Sequence, residues 1–144
     1  MRYCFPQPFD ELDHTADVGV LVRGITADEA LARLVLAFAH VLSGGAPLQA
    51  ETEITIHTGP GDLAAVAVDV LRELLYRFDR DGYVPATCEV RHFDEAEGAE
   101  VVIGVTSYDP VAHEEGIDVK AITWHEARFE REGDDWLAQV VLDV

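Results

Sequence analysis

Hydrophobic and polar positions change period several times along this chain of 144 residues, and each change predicts an element. Val18 to Arg23 alternates weakly, as a strand does, and Gly24 ends it. Thr26-Ala27-Asp28-Glu29 then has the form of a capping box, with Thr at the N-cap and Glu three residues on. Behind it Leu31, Leu34, Val35, Phe38, Val41 and Leu42 recur at helical spacing until Gly44-Gly45 and Pro47. Residues 52–58 alternate, with Ile54 and Ile56 on one face. Gly59-Pro60-Gly61 turns the chain, and Asp62 caps a second helix. Its stripe is Leu63, Val66, Ala67, Val70, Leu71, Leu74, Leu75 and Phe78, and Gly82 stops it. Strands follow at about 84–93, 100–108, 118–131 and 136–143, with Glu132-Gly133-Asp134-Asp135 as a hairpin connection. Residues 1–16 read as a lead-in in which Pro6 and Pro8 oppose a helix.

The order is β-α-β-α and then a run of strands. Two amphipathic helices are too few to cover both faces of so wide a sheet. The expectation is an α+β fold, a two-layer sandwich with both helices on one face of the sheet. A strand–helix–strand unit favours parallel neighbours and hairpins are antiparallel, so the sheet is expected to be mixed. No repeat or low-complexity linker divides residues 1–144, which read as a single domain.

Composition narrows the chemistry. Hydrophobic residues make up 49%, enough for a real core. Cys4 and Cys88 lack the close Cys or His spacing of a zinc site and are expected to be reduced thiols, Cys88 packed in a strand. No apolar run approaches ~18 residues, so no membrane span is expected. No secretory signal follows Arg2, and the expected location is cytoplasmic. Ten Lys+Arg against 28 Asp+Glu give a net charge of −18. Affinity for nucleic acid comes largely from cations that displace phosphate counterions, so strong RNA or DNA binding is not expected. An acidic body suits a basic protein partner or a cation; it also serves solubility alone.

Among the carboxylates, Asp17 stands just before a strand, in Leu12-Asp13-His14-Thr15-Ala16-Asp17-Val18-Gly19. By itself it is a turn or capping residue. The other end of the chain gives it a second meaning. The last strand runs to Leu142-Asp143-Val144, which sets the α-carboxylate of Val144 beside the side chain of Asp143. If Asp17 joins them, three carboxylates share one place, and a bound cation relieves their repulsion. Oxygen ligands alone favour a hard ion such as Ca²⁺ or Mg²⁺. The alternative is a frayed acidic tail. His14 lies three residues before Asp17 and is open to a ligand role, to a hydrogen-bond role behind such a ligand set, which a hard ion favours, or to a plain turn. His125, in Val119-Lys120-Ala121-Ile122-Thr123-Trp124-His125, alternates onto one face with Val119, Ala121 and Thr123 and reads as a satisfied sheet histidine. Lys120 is a rare cation here, open to pairing with an acid or marking a contact surface. Asp69, Glu73 and Tyr76 lie off the apolar stripe of the second helix, as a solvated face or a partner surface. His57, His92 and His113 show no ligand spacing. There is no G-x-S-x-G, P-loop, GxGxxG or H-E-x-x-H, so no catalytic residue is assigned.

Four segments, in order, resemble the archease family. They are Leu12 to Gly19, Arg72-Glu73-Leu74-Leu75-Tyr76, Val119 to His125, and Leu142-Asp143-Val144. Trp124 stands where the family usually has Tyr, and Val144 where Ile is also common. The resemblance implies an accessory protein, not an enzyme, that serves an RtcB-type RNA ligase in tRNA splicing and RNA repair. It implies faster guanylylation of the ligase's catalytic histidine, multiple turnover, and a broadened nucleotide choice. It also implies a metal ion, Ca²⁺ or another divalent cation in its place, on Asp17, Asp143 and Val144. His14, Glu73, Lys120 and His125 are then the supporting or partner-contact candidates. Two other classes stand beside this reading: a metal-dependent hydrolase built on Asp17, Asp143 and His14, and a general protein chaperone or scaffold.

Overall fold

The computed structural model describes residues 1–13 and 17–144. Among them are β1 (Arg2–Cys4), β2 (Asp10–Asp13), β3 (Asp17–Gly24), α1 (Ala27–Ser43), β4 (Thr52–His57), α2 (Leu63–Asp81), β5 (Tyr83–Asp94), β6 (Gly98–Ser107), β7 (Ala121–Glu132) and β8 (Asp135–Asp143).

Local chemistry places both helices. Thr26 Oγ1 accepts from the Glu29 N–H at 3.1 Å. The Glu29 carboxylate reaches back to the Ile25 N–H at 3.0 Å, one residue before the N-cap. Gly44 closes the helix at φ 71, its N–H donating to His40 O at 2.8 Å. In α2 the Asp62 side chain accepts from Ala65 N at 2.9 Å, and Gly82 ends the helix at φ 72. Each side-chain cap stabilises its helix by about 1 kcal/mol. Helix α1 is buried well beyond its predicted stripe, because Ala30, Ala32, Leu36, Ala37 and Ala39 are also fully enclosed.

The α+β class is as expected, but the sheet layer is not one mixed sheet. It is divided into two four-stranded sheets, ordered β1-β5-β6-β4 and β2-β3-β8-β7. Every ladder among the described residues is antiparallel. The reason lies in where the crossovers land. A strand–helix–strand unit gives parallel neighbours only when both strands enter one sheet side by side; here β3 and β4, which flank α1, enter different sheets, and β4 and β5, which flank α2, share a sheet with β6 between them. The lead-in also holds two short strands, β1 on the edge beside β5 and β2 on the edge beside β3. Pro6 and Pro8 fall between them, where no ladder hydrogen bond is lost.

Each helix bridges the two sheets. Helix α1 packs on β5 and β1 of one sheet and on β3 and β8 of the other. Helix α2 packs on β7 of the second and on β5, β6 and β4 of the first. Phe93 of β5 meets Phe129 of β7 edge-on at 4.9 Å, and Phe129 meets Trp136 of β8, closing the seam. One continuous core results, with Leu31, Phe38, Leu71, Ile103 and Leu142 at 2% exposure or less.

Candidate functional site

The second sheet gathers the predicted carboxylates. Asp17 is the first residue of β3 and Asp143 the last of β8, and they are direct partners in the antiparallel ladder. On its other side Asp143 is paired with Ala121, the first residue of β7. The Lys120 N–H donates to the Asp143 carbonyl at 2.8 Å. Residues directly opposite one another point to the same face, with Cβ atoms about 4.5–5.5 Å apart. Asp17 and Asp143 therefore present carboxylates side by side at the end of three strands. Both are half-buried, and Val144 packs partly against the core beside them. His14 lies outside the described residues.

Next to this edge lies an open groove of about 460 Å³ between α2 and β7, lined by Arg72, Leu75, Tyr76, Asp79, Lys120, Ala121 and Ile122. Lys120 is exposed at one end of it. Arg72, which no sequence argument singled out, ties the two elements together. Its Nε and a terminal nitrogen both donate to the Ile122 carbonyl, at 3.1 and 3.0 Å. The same guanidinium lies 4.8 Å from the centre of the Trp124 ring. A planar, always-charged fork serves both contacts, and a lysine ammonium does not. The readable signal was an arginine at the head of Arg72-Glu73-Leu74-Leu75-Tyr76, three residues before the buried Leu75.

The remaining candidates separate. Glu73 does not line the groove; it pairs with Arg77 at 3.3 Å one helical turn on. His125 is exposed rather than a satisfied sheet histidine, its Nε2 3.6 Å from the Glu126 carboxylate. Alternation failed there because β7 bulges between Thr123 and Arg128. Glu126 carries a left-handed φ of 59, held by Gln139 Nε2 donating to its carbonyl at 3.0 Å. The bulge turns Trp124, His125 and Glu126 outward, the re-aiming such irregularities produce. Trp124 is left 49% exposed, an unusual placement for so large an apolar ring.

Among the thiols, Cys88 is fully buried in β5, as expected, and burial pushes its pKa far above the ordinary thiol value. It has no nucleophilic character. Cys4 is exposed.

Residues 9–144 match the model of the Archease protein family (MTH1598/TM1083). The chain belongs to the archease family. It is 32% identical over 139 residues to protein archease of Methanopyrus kandleri, covering 95% of this chain and 99% of that one. Against protein archease of Pyrococcus furiosus the figure is 33% over 140 residues, covering 94% and 98%. The solution structure of Methanobacterium thermoautotrophicum protein 1598 superposes with a TM-score of 0.77 at 25% identity, over 94% of this chain and 98% of that one. An archease from Thermotoga maritima, described as a possible chaperone, shares the fold at a TM-score of 0.59 and 19% identity, over 99% of each chain. No helix among the described residues is long and apolar enough to cross a membrane.

Proposed function

We propose that this archease-family chain is a non-enzymatic, cation-carrying activator of an RtcB-type RNA ligase in tRNA splicing and RNA repair. It promotes guanylylation of the ligase and its return for further turnovers. The observation that carries the reading is the direct pairing of Asp17 with Asp143 at a sheet end. Like charges held opposite one another destabilise a ladder unless something neutral or positive intervenes. The donor set fits a hard ion: two carboxylates, with the α-carboxylate of Val144 next in the chain, and no sulfur or nitrogen ligand among them. Ca²⁺ or a similar divalent cation bound there supplies positive charge to an otherwise acidic surface. Asp17, Asp143 and Val144 hold it. Lys120 fixes the Asp143 backbone through its own N–H and adds a cation beside the groove.

The net charge of −18 supports contact with the ligase protein rather than with RNA. Tight RNA binding by the isolated chain at physiological salt would count against this. The deciding experiment is multiple-turnover RNA ligation with the cognate ligase, comparing wild type, Asp17→Ala and a protein extended by residues after Val144. Wild type is expected to stimulate and both variants to fail. Full stimulation by the extended protein removes the terminal carboxylate from the ligand set. No stimulation by wild type overturns the activator role. Retained stimulation by Asp143→Ala favours a general chaperone, and phosphoester turnover lost on Asp17→Ala favours a hydrolase.

A further inference from the structure

The β5–β6 hairpin of the first sheet brings together a second set of ligand atoms. His92 and Asp94 close β5, and Glu97 sits in the turn that leads to β6. One donor atom from each lies within 4.8 Å of the other two. The backbone builds this closeness. Asp94 pairs with Gly98 across the hairpin, and the Glu97 N–H donates to Asp94 Oδ1 at 2.7 Å. That bond curls Glu97 back over the strand end and leaves the second Asp94 oxygen available. Gly98 allows the curl at φ 83, where a Cβ would strike the Thr58 and Gly59 carbonyls. His92 itself is half-buried. His92 Nδ1 is screened from solvent and has no hydrogen-bond partner among the described residues. Screened polar atoms are almost always satisfied, and a bound ion is one of the partners that completes such an exception.

We propose that His92, Asp94 and Glu97 form a cation site of their own, selective for a borderline divalent transition ion of the Zn²⁺ class. An imidazole with two carboxylates is a donor set such ions take, and the two negative charges offset the ion's charge. A tetrahedral ion with bonds of about 2.0–2.1 Å holds its ligands roughly 3.4 Å apart. The carboxylates therefore swing inward by roughly an ångström to close on it. Three protein ligands leave a fourth position open to solvent. The neighbouring Glu100, opposite His92 in the ladder, is engaged by His57 Nδ1 at 3.4 Å and is not counted as a ligand. The site belongs to the β5–β6 hairpin of the first sheet, whereas Asp17 and Asp143 belong to the second. A bound ion there clips the hairpin turn to the strand end.

The test is calorimetric titration of Zn²⁺ into the full chain carrying Asp143→Asn, so that the carboxylate pair is disabled. One equivalent is expected to bind at about 10 µM or tighter. Adding Glu97→Gln or His92→Gln is expected to weaken it by roughly tenfold or more, since a lost ligand costs at least what a lost supporting contact does. Millimolar Ca²⁺ should leave Zn²⁺ binding in place. Glu97 is exposed in a turn, so Glu97→Gln keeps the fold and decides the matter even if His92→Gln does not fold. Failure of Zn²⁺ to bind, or binding indifferent to Glu97→Gln, overturns the proposal. Neither result bears on the ligation assay.

Discussion

Asp17 and Asp143 face each other across the β3–β8 ladder, joining a strand's first residue to another strand's last. Opposed like charges on one face of an antiparallel pair are destabilising by about 0.2–1 kcal/mol. Without divalent cations, Asp17→Asn should therefore raise the unfolding free energy by about that amount. With Ca²⁺ the order should reverse. A cation bound only by the folded state stabilises wild type by mass action, and the variant forgoes that gain. Thermal melts of both proteins in chelator and in millimolar Ca²⁺ check the crossing. A Ca²⁺ shift of equal size in the two proteins removes Asp17 from the site.

Arg72 makes a different kind of link. Its two hydrogen bonds to Ile122 O and its stack on Trp124 hold α2 against the start of β7, next to Asp143. Arg72→Lys keeps the charge and loses the fork. The expected cost is about 1–2 kcal/mol in urea unfolding, with the slope unchanged. Arg72→Ala should cost no less, because the Ile122 carbonyl loses its side-chain donors in either case.

Much of this arrangement was legible in the sequence, and the parts that were not share a cause. Both helices, their caps and their ends follow from Thr26, Gly44, Asp62 and Gly82, because a cap depends on residues three or four apart. The strands β3 to β8 follow from alternation. Strands β1 and β2 were missed because three or four residues cannot establish a period, and their existence depends on distant partners. The division into two sheets was invisible for the same reason. At the site, proximity of Asp143 and Val144 is simple chain adjacency. The pairing of Asp143 with Asp17 depends on the β3–β8 register, which only the resemblance of the separated motifs indicated. His125 shows the limit of parity: one bulge between Thr123 and Arg128 undoes every face assignment beyond it. His92 shows another limit, since Glu97 returns to it through a turn rather than along a strand.

The two thiols should react very differently. Cys4 is exposed, while Cys88 lies at 0% exposure in β5 with its ionisation opposed first by burial and then by the nearby Glu89 charge. Thiolate is the reactive form, so a thiol held neutral and enclosed reacts only on unfolding. A disulfide reagent should titrate one equivalent rapidly in native protein and two in denaturant. Cys4→Ser should abolish the native reaction. Rapid labelling of Cys88 in folded Cys4→Ser protein would contradict the packing of β5 against the core.

Tyr3 should give the fold a dependence on alkaline pH. Its hydroxyl donates to Glu29 Oε2 at 3.2 Å, which ties β1 to the first turn of α1. Its pKa is raised above the ordinary value near 10, by burial first, then by the Glu29 charge and the hydrogen bond to it. The folded state therefore holds the phenol proton more tightly than the unfolded state. Where the folded state binds more protons, unfolding free energy falls as pH rises. The contribution of Tyr3 is thus fully present below pH about 10 and is lost as pH climbs through its folded value. Tyr3→Phe has no such proton to lose. The stability gap between wild type and Tyr3→Phe, followed by urea midpoints from pH 8 upward, should stay constant at first and then shrink above pH about 10. A gap that widens with pH would mean that the Tyr3 pKa is lowered on folding, and that the hydroxyl does not donate to Glu29.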